Sequence, residues 1–138
     1  MIIRKIDNTY IIKIIKKEII NFDIFNQQKI KELFQKIILR LKKKYNIMGL
    51  LKVDIYVNKY YGMIIEIKPI YNDIDEIDMK ISFHLDTTFL YEINEKEIIK
   101  EKEIYYFKNK YYGIYQKPID SNIIYKTDNI LKEGIKVL

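Results

Sequence analysis

The chain has 138 residues, 49% of them hydrophobic, a net charge of +6 and no cysteine. This much apolar residue excludes a disordered chain and fits one domain, 1–138, with a core of its own. The missing thiols exclude disulfides and thiolate metal sites. At the amino terminus the apolar residues are broken by Arg4, Lys5 and Asp7 and no small-residue cleavage site follows, so no signal peptide is expected. No run approaches the roughly 20 apolar residues that cross a bilayer. A cytoplasmic location and no membrane partner are therefore expected.

Isoleucine, lysine, asparagine and tyrosine dominate, alanine and tryptophan are absent, and arginine occurs only as Arg4 and Arg40. The favoured residues have AT-rich codons, which points to an AT-rich genome. Abundant lysine and tyrosine are then no evidence of binding by themselves. The charge is polarised along the chain. Residues 26–45 hold seven basic residues and one acidic, a net +6, while residues 71–103 hold four basic and ten acidic, a net −6. Such asymmetry bears on partners and not on fold.

Residues 2–5 and 9–17 read as two strands about the turn pair Asp7-Asn8. The second carries isoleucine on both faces, as a covered strand does. After a connection, residues 26–45 read as a helix. Ile30, Leu33, Phe34, Ile37, Ile38, Leu41 and Tyr45 fall on one stripe, and Lys29, Lys36, Arg40 and Lys43 on the other. Asp23 or Asn26 is placed to cap its start. Lys42, Lys43 and Lys44 suit its carboxy-terminal dipole, and Gly49 marks the stop.

Leu51, Val53, Ile55 and Val57 alternate with polar residues, and Met63, Ile65 and Ile67 do so on the return, up to Pro69. Residues 50–69 are thus a β-hairpin with one buried face. An acidic loop, 71–78, leads to a third alternating strand, in which Met79, Ile81, Phe83 and Leu85 oppose Lys80, Ser82, His84 and Asp86. Phe89–Ile93 reads as a strand. Residues 95–103 fit either a short helix or a hairpin loop. Residues 104–108 and 111–116 form a second hairpin, 123–125 a short strand, and 128–133 a helical turn ended by Gly134. The pentapeptide Asn-Lys-Tyr-Tyr-Gly occurs at 58–62 and again at 109–113. Two similar turns written in a biased alphabet explain it better than a duplicated hairpin.

Few patterns carry chemistry. Ser82, His84 and Asp86 supply the parts of a hydrolase triad. Residues two apart on a strand are, however, roughly 6.5 Å apart, too far for triad hydrogen bonds. Asp73, Asp75, Glu76 and Asp78 resemble a calcium loop, but Ile77, Asp78 and His84 fill the positions where that loop needs an oxygen ligand, a glycine and a glutamate. Asp54 and Glu66 are a conceivable carboxylate pair across the first hairpin, read here as solvated. Four glycines and no GxxxxGK[ST] or GxGxxG argue against phosphate-cradling loops. No cofactor, metal or catalytic residue is expected.

The expected fold is α+β: one long amphipathic helix packed on a mostly antiparallel sheet, with a β-rich carboxy-terminal half extending or covering that sheet. Residues 1–70 would form a hairpin–helix–hairpin unit and 71–138 the β-rich extension. The expected function is a non-catalytic protein-interaction module, such as an adaptor, inhibitor or immunity-type protein. The alternative is a nucleic-acid-binding protein. Binding by either route would use Lys29, Lys36, Arg40 and Lys43 of the helix and Tyr56, Tyr60, Tyr61, Tyr111 and Tyr112, read as exposed tyrosines. Another protein is the first partner, nucleic acid the second. Self-association of the basic helix with the acidic 71–103 segment is a third outcome.

Overall fold

The computed structural model describes residues 1–19, 27–71, 77–94, 103–116 and 123–137. They form a mixed, mostly antiparallel α+β structure with two five-stranded sheets. Of the acidic loop 71–78, residues 72–76 lie outside the described residues, while Tyr71 ends one strand and Ile77 and Asp78 begin the next; residues 95–102 and both candidate helix caps also lie outside them.

The first sheet holds β1 (Ile2–Ile6), β2 (Thr9–Ile15), β3 (Gly49–Asn58), β4 (Gly62–Tyr71) and β5 (Ile77–His84), in the order β1-β2-β4-β3-β5. The helix α1 (Gln27–Tyr45) lies on one face of it. Phe34, Ile37 and Leu41 are buried there against Tyr10, Ile12, Leu51, Val53, Ile65 and Ile67, and Leu33, Ile38 and Tyr45 pack beside them. These helix positions recur at three and four residues, so one stripe of the helix meets the inward side of each strand. The helix ends at Asn46, which takes a left-handed conformation (φ 53°) while its N–H bonds to the Lys42 carbonyl. Asparagine tolerates that conformation, so Asn46 rather than Gly49 is the stop. Pro69 does not end its strand either. β4 runs on to Tyr71 through a register irregularity opposite Leu50 and Leu51, where a missing N–H is tolerated.

The second sheet holds β6 (Leu90–Ile93), β7 (Ile104–Phe107), β8 (Lys110–Ile114), β9 (Ile123–Ile124) and β10 (Ile135–Lys136), in the order β10-β7-β8-β6-β9. It covers the other face of the first sheet. Ile64 of β4 is buried with Phe89, Tyr91, Ile93, Ile104 and Tyr115, and Ile11 and Tyr56 pack against them. A short helix, α2 (Asp128–Glu133), closes the far side of this sheet through Ile130, which packs with Leu90 and Tyr112. The layers are therefore helix, sheet, sheet, short helix.

β5 departs from expectation twice. It runs parallel to β3, and it is an edge strand. Its alternating residues Ile81 and Phe83, expected inside, are 40% and 43% exposed, and Leu85 beyond them is 46% exposed. They sit on the helix side of the sheet, one strand outside the area that α1 covers, and only Met79 reaches that core.

The two copies of Asn-Lys-Tyr-Tyr-Gly are not structurally equivalent. In the first, Asn58 pairs with Gly62 and residues 59–61 form the loop, with the Asn58 side-chain oxygen accepting from the Tyr60 and Tyr61 N–H groups at 2.9 Å each. Gly62 has φ 122°, and a Cβ there would collide with the Ile14 carbonyl oxygen. In the second, Lys108 and Asn109, both with positive φ, form a two-residue turn, and Lys110–Gly113 already belong to β8.

Candidate functional site

The four basic helix residues, Lys29, Lys36, Arg40 and Lys43, are all exposed. Arg40 places a guanidinium nitrogen 3.7 Å from the Met1 sulfur. Among them stands an apolar residue that the sequence reading passed over. Leu39 is 64% exposed, three residues after Lys36, four before Lys43 and next to Arg40. These positions share one helix surface.

The tyrosines do not join that surface. Tyr56 and Tyr61 belong to the layer between the sheets, on the opposite side of the first sheet from α1. Tyr56 stacks on His84, with ring centres 4.5 Å apart, and leans on Tyr125 at 4.9 Å. Tyr61 packs against Phe89 and Tyr115. Tyr111 packs against the same inter-sheet cluster, and Tyr112 is buried on the α2 side. Only Tyr60, at the tip of the β3–β4 loop, is an exposed ring of the five, with the Lys59 ammonium over it. The expectation of exposed tyrosines therefore fails at Tyr112 and largely at Tyr56, Tyr61 and Tyr111. For Tyr56, Tyr61 and Tyr111 the cause is the contact between the two sheets, rich in aromatic rings, and for Tyr112 it is the cover of α2.

The same covering overturns the reading of Asp54 and Glu66 as solvated. They lie directly opposite each other on β3 and β4 and are 9% and 3% exposed. Two buried carboxylates side by side need partners. Glu66 receives the Tyr125 hydroxyl at 2.7 Å on one oxygen and the Lys126 ammonium at 2.7 Å on the other, with Lys68 at 3.5 Å. Burial alone would raise its pKa. The hydrogen bonds from Lys126 and Tyr125 and the charges of Lys126 and Lys68 outweigh that and hold it below the usual glutamate value. Tyr125 is pushed well above the ordinary phenol value, first by burial and then by its bond to Glu66. Asp54 has His84 Nε2 at 3.0 Å and Lys52 at 4.0 Å. Tyr56, beside both carboxylates, is pushed up to about 12, first by burial and then by the charges of Asp54, Glu66 and Asp128.

A cleft of about 710 Å³ opens beside this cluster, lined among others by His84, Asp86, Thr88, Tyr125, Lys126 and Asp128. Its walls are tied together. The Thr127 hydroxyl donates to the Thr88 carbonyl at 2.9 Å, and the Asn58 side-chain amide donates to the Thr87 carbonyl at 2.9 Å. Ser82, His84 and Asp86 are not brought together as a triad, because His84 turns to Asp54 on the neighbouring strand. The Asp54–His84 pair resembles the orienting half of an acid–base couple. The Thr87 hydroxyl, close by in sequence, donates instead to the His84 carbonyl at 2.7 Å. Among the described residues no group of three or more His, Cys, Asp or Glu side chains is placed to hold a metal ion. No described helix is long and apolar enough to cross a membrane.

Sequence reasoning missed Tyr125 and Lys126, which lie about sixty residues from Glu66 in the chain. One signal was present. Ile64 interrupts the alternation of β4 with an apolar residue on the supposed wet side, which marks a strand covered on both faces. Comparisons with protein-family models, with curated proteins and with solved structures gave no match.

Proposed function

We propose that the protein is a non-catalytic protein-interaction module of the adaptor, inhibitor or immunity type, acting in the cytoplasm. Its docking surface is the outer face of α1, which serves as a long amphipathic element with one stripe on the sheet and with Lys36, Leu39, Arg40 and Lys43 facing outward toward an acidic protein. The observation that carries this reading is Leu39, exposed among Lys36, Arg40 and Lys43. An apolar anchor ringed by cations fits a protein partner with an acidic rim around an apolar pocket, since apolar burial supplies affinity and charge supplies orientation. A phosphate backbone would use the cations and leave Leu39 without a role. Glu66, buried beside the cleft, has both oxygens occupied, which supports the non-catalytic part.

The test uses two variants of opposite kind. Leu39→Ser keeps the charge and removes the anchor. The combined Lys36→Glu, Arg40→Glu, Lys43→Glu variant reverses the charge. A protein retained from nuclease-treated extract by the wild type, identified and rebound in pure form, is expected to lose affinity with both variants. Binding to mixed-sequence DNA or RNA that ignores Leu39→Ser and falls with salt at a log–log slope of about −3 would replace this reading with the nucleic-acid one.

A further inference from the structure

We propose that two copies of this chain pair through β5, edge to edge and antiparallel, about a two-fold axis at Ile81, joining the two first sheets into one ten-stranded sheet. Among the described residues nothing pairs with the outer edge of β5. An edge strand presents unpaired N–H and C=O groups, and chains normally guard it with charge. The two edges of the first sheet differ in this respect. β1 carries Arg4 and Lys5 side by side at its centre, so an incoming strand meets a cation on either face. β5 carries its two charges, Asp78 and Lys80, on one face only, and its other face is an apolar row of Ile81 and Phe83 that extends to Leu85 and stands open to water. That row lies beside the α1 core and is contiguous with it through Met79.

The register follows from side-chain pairing. In an antiparallel pair centred on Ile81, each Ile81 faces its own copy and Met79 faces Phe83 of the second chain, which continues the apolar layer across the junction. On the other face Asp78 meets His84 and Lys80 meets Ser82, so no like charges oppose each other. Moving the axis one residue sets Lys80 against its own copy in one direction and against His84 in the other. A two-fold pairing of this kind is self-complementary and closes at two chains. It differs from association of the basic helix with the acidic segment, which salt would dissolve.

The chain has no cysteine, so a single introduced thiol reports the register. Ile81→Cys would bring two Cα atoms to about 4.5–5.5 Å across the axis, within disulfide reach, and mild oxidation is expected to yield a covalent dimer nearly completely. Ser82→Cys would leave its two copies about 8 Å apart and is expected to stay uncrosslinked. Sedimentation of the wild type is expected to show a dimer that persists at high salt. Ile81→Lys, which sets two ammonium groups at the axis and removes the apolar contact, should weaken it by more than about tenfold. Several results would overturn the proposal. These are a wild-type monomer up to submillimolar concentration, a dimer indifferent to Ile81→Lys, crosslinking at position 82 in place of 81, or open-ended growth.

Discussion

β3 and β4 are one hairpin with two covered faces, and the faces are held by different physics. Toward α1 the hairpin presents Leu51, Val53, Ile55, Met63, Ile65 and Ile67, all buried among other apolar side chains. Toward the second sheet it presents Tyr56, Asn58 and Ile64, together with the carboxylates Asp54 and Glu66. The first face gains from area removed from water, which is non-directional and insensitive to pH. The second face must satisfy buried charge, so its stability depends on particular partners: Tyr125 and Lys126 for Glu66, and His84 for Asp54. An apolar interface tolerates small shifts in its neighbours. A hydrogen-bonded one fixes where the second sheet sits.

The largest expected effect lies on the helix side. Phe34→Ala or Ile37→Ala should cost roughly 2–5 kcal/mol in urea melts, and a change within about 0.5 kcal/mol would mean that α1 does not hold this face. On the other side Glu66→Ala should cost about 1–3 kcal/mol, because the Tyr125 hydroxyl loses its acceptor while Lys126, half exposed, returns to water. If Glu66→Ala proved as costly as Ile37→Ala, the two faces would not differ in the way described. Tyr125→Phe removes a single hydrogen bond and should cost about 1 kcal/mol. A double-mutant cycle with Glu66→Ala should show that the two losses overlap.

The smallest effect is the most specific to the polar face. Glu66 has a lowered pKa when folded, so the unfolded chain takes up this proton at higher pH than the folded chain. Its contribution is fully present above the ordinary glutamate value of about 4.3 and is lost as the pH falls from there through the folded value. Stability curves of the wild type and Glu66→Gln should converge across that window, while Ile37→Ala should run parallel to the wild type. Parallel curves for all three would separate Glu66 from the acid response.

Alternation in the sequence carried the elements well. The antiparallel hairpins, the helix, β9 and α2 were all read from the sequence, because the period of apolar residues records which side of an element is inside, while the two-residue β10 was not. What it does not record is what lies on the other side. Asp54 and Glu66 look like any polar residues of a half-wet strand; the partners of Glu66 come from a distant loop with no pattern of its own, and that of Asp54 from β5, whose place beside β3 the period does not record. Strand direction also leaves no trace in a period of two, so the parallel placement of β5 was not legible. The same holds for its position outside the reach of α1, which leaves Ile81 and Phe83 uncovered although their spacing matches a buried row. In the helix the exposed Leu39 departs from the apolar stripe, as Ile64 departs from the alternation of β4, and both departures are legible in the sequence.

The strand order β1-β2-β4-β3-β5 also imposes a timetable on folding. β3 and β4 meet across a loop of three residues, whereas β2 reaches β4 only after α1 and β3 have been made, and β5 joins β3 from beyond β4. Local pairs close quickly and distant ones slowly. The hairpin is thus the template, and the strands that are central in the finished sheet are the edges of its precursor. During synthesis β1, β2 and α1 are already waiting when β4 appears, so one flank and the helix side are covered at once. The flank of β3 stays open until residues 77–84 arrive. For that interval the hairpin keeps one border unpaired, and the speed with which β5 docks sets how long misassembly has to compete.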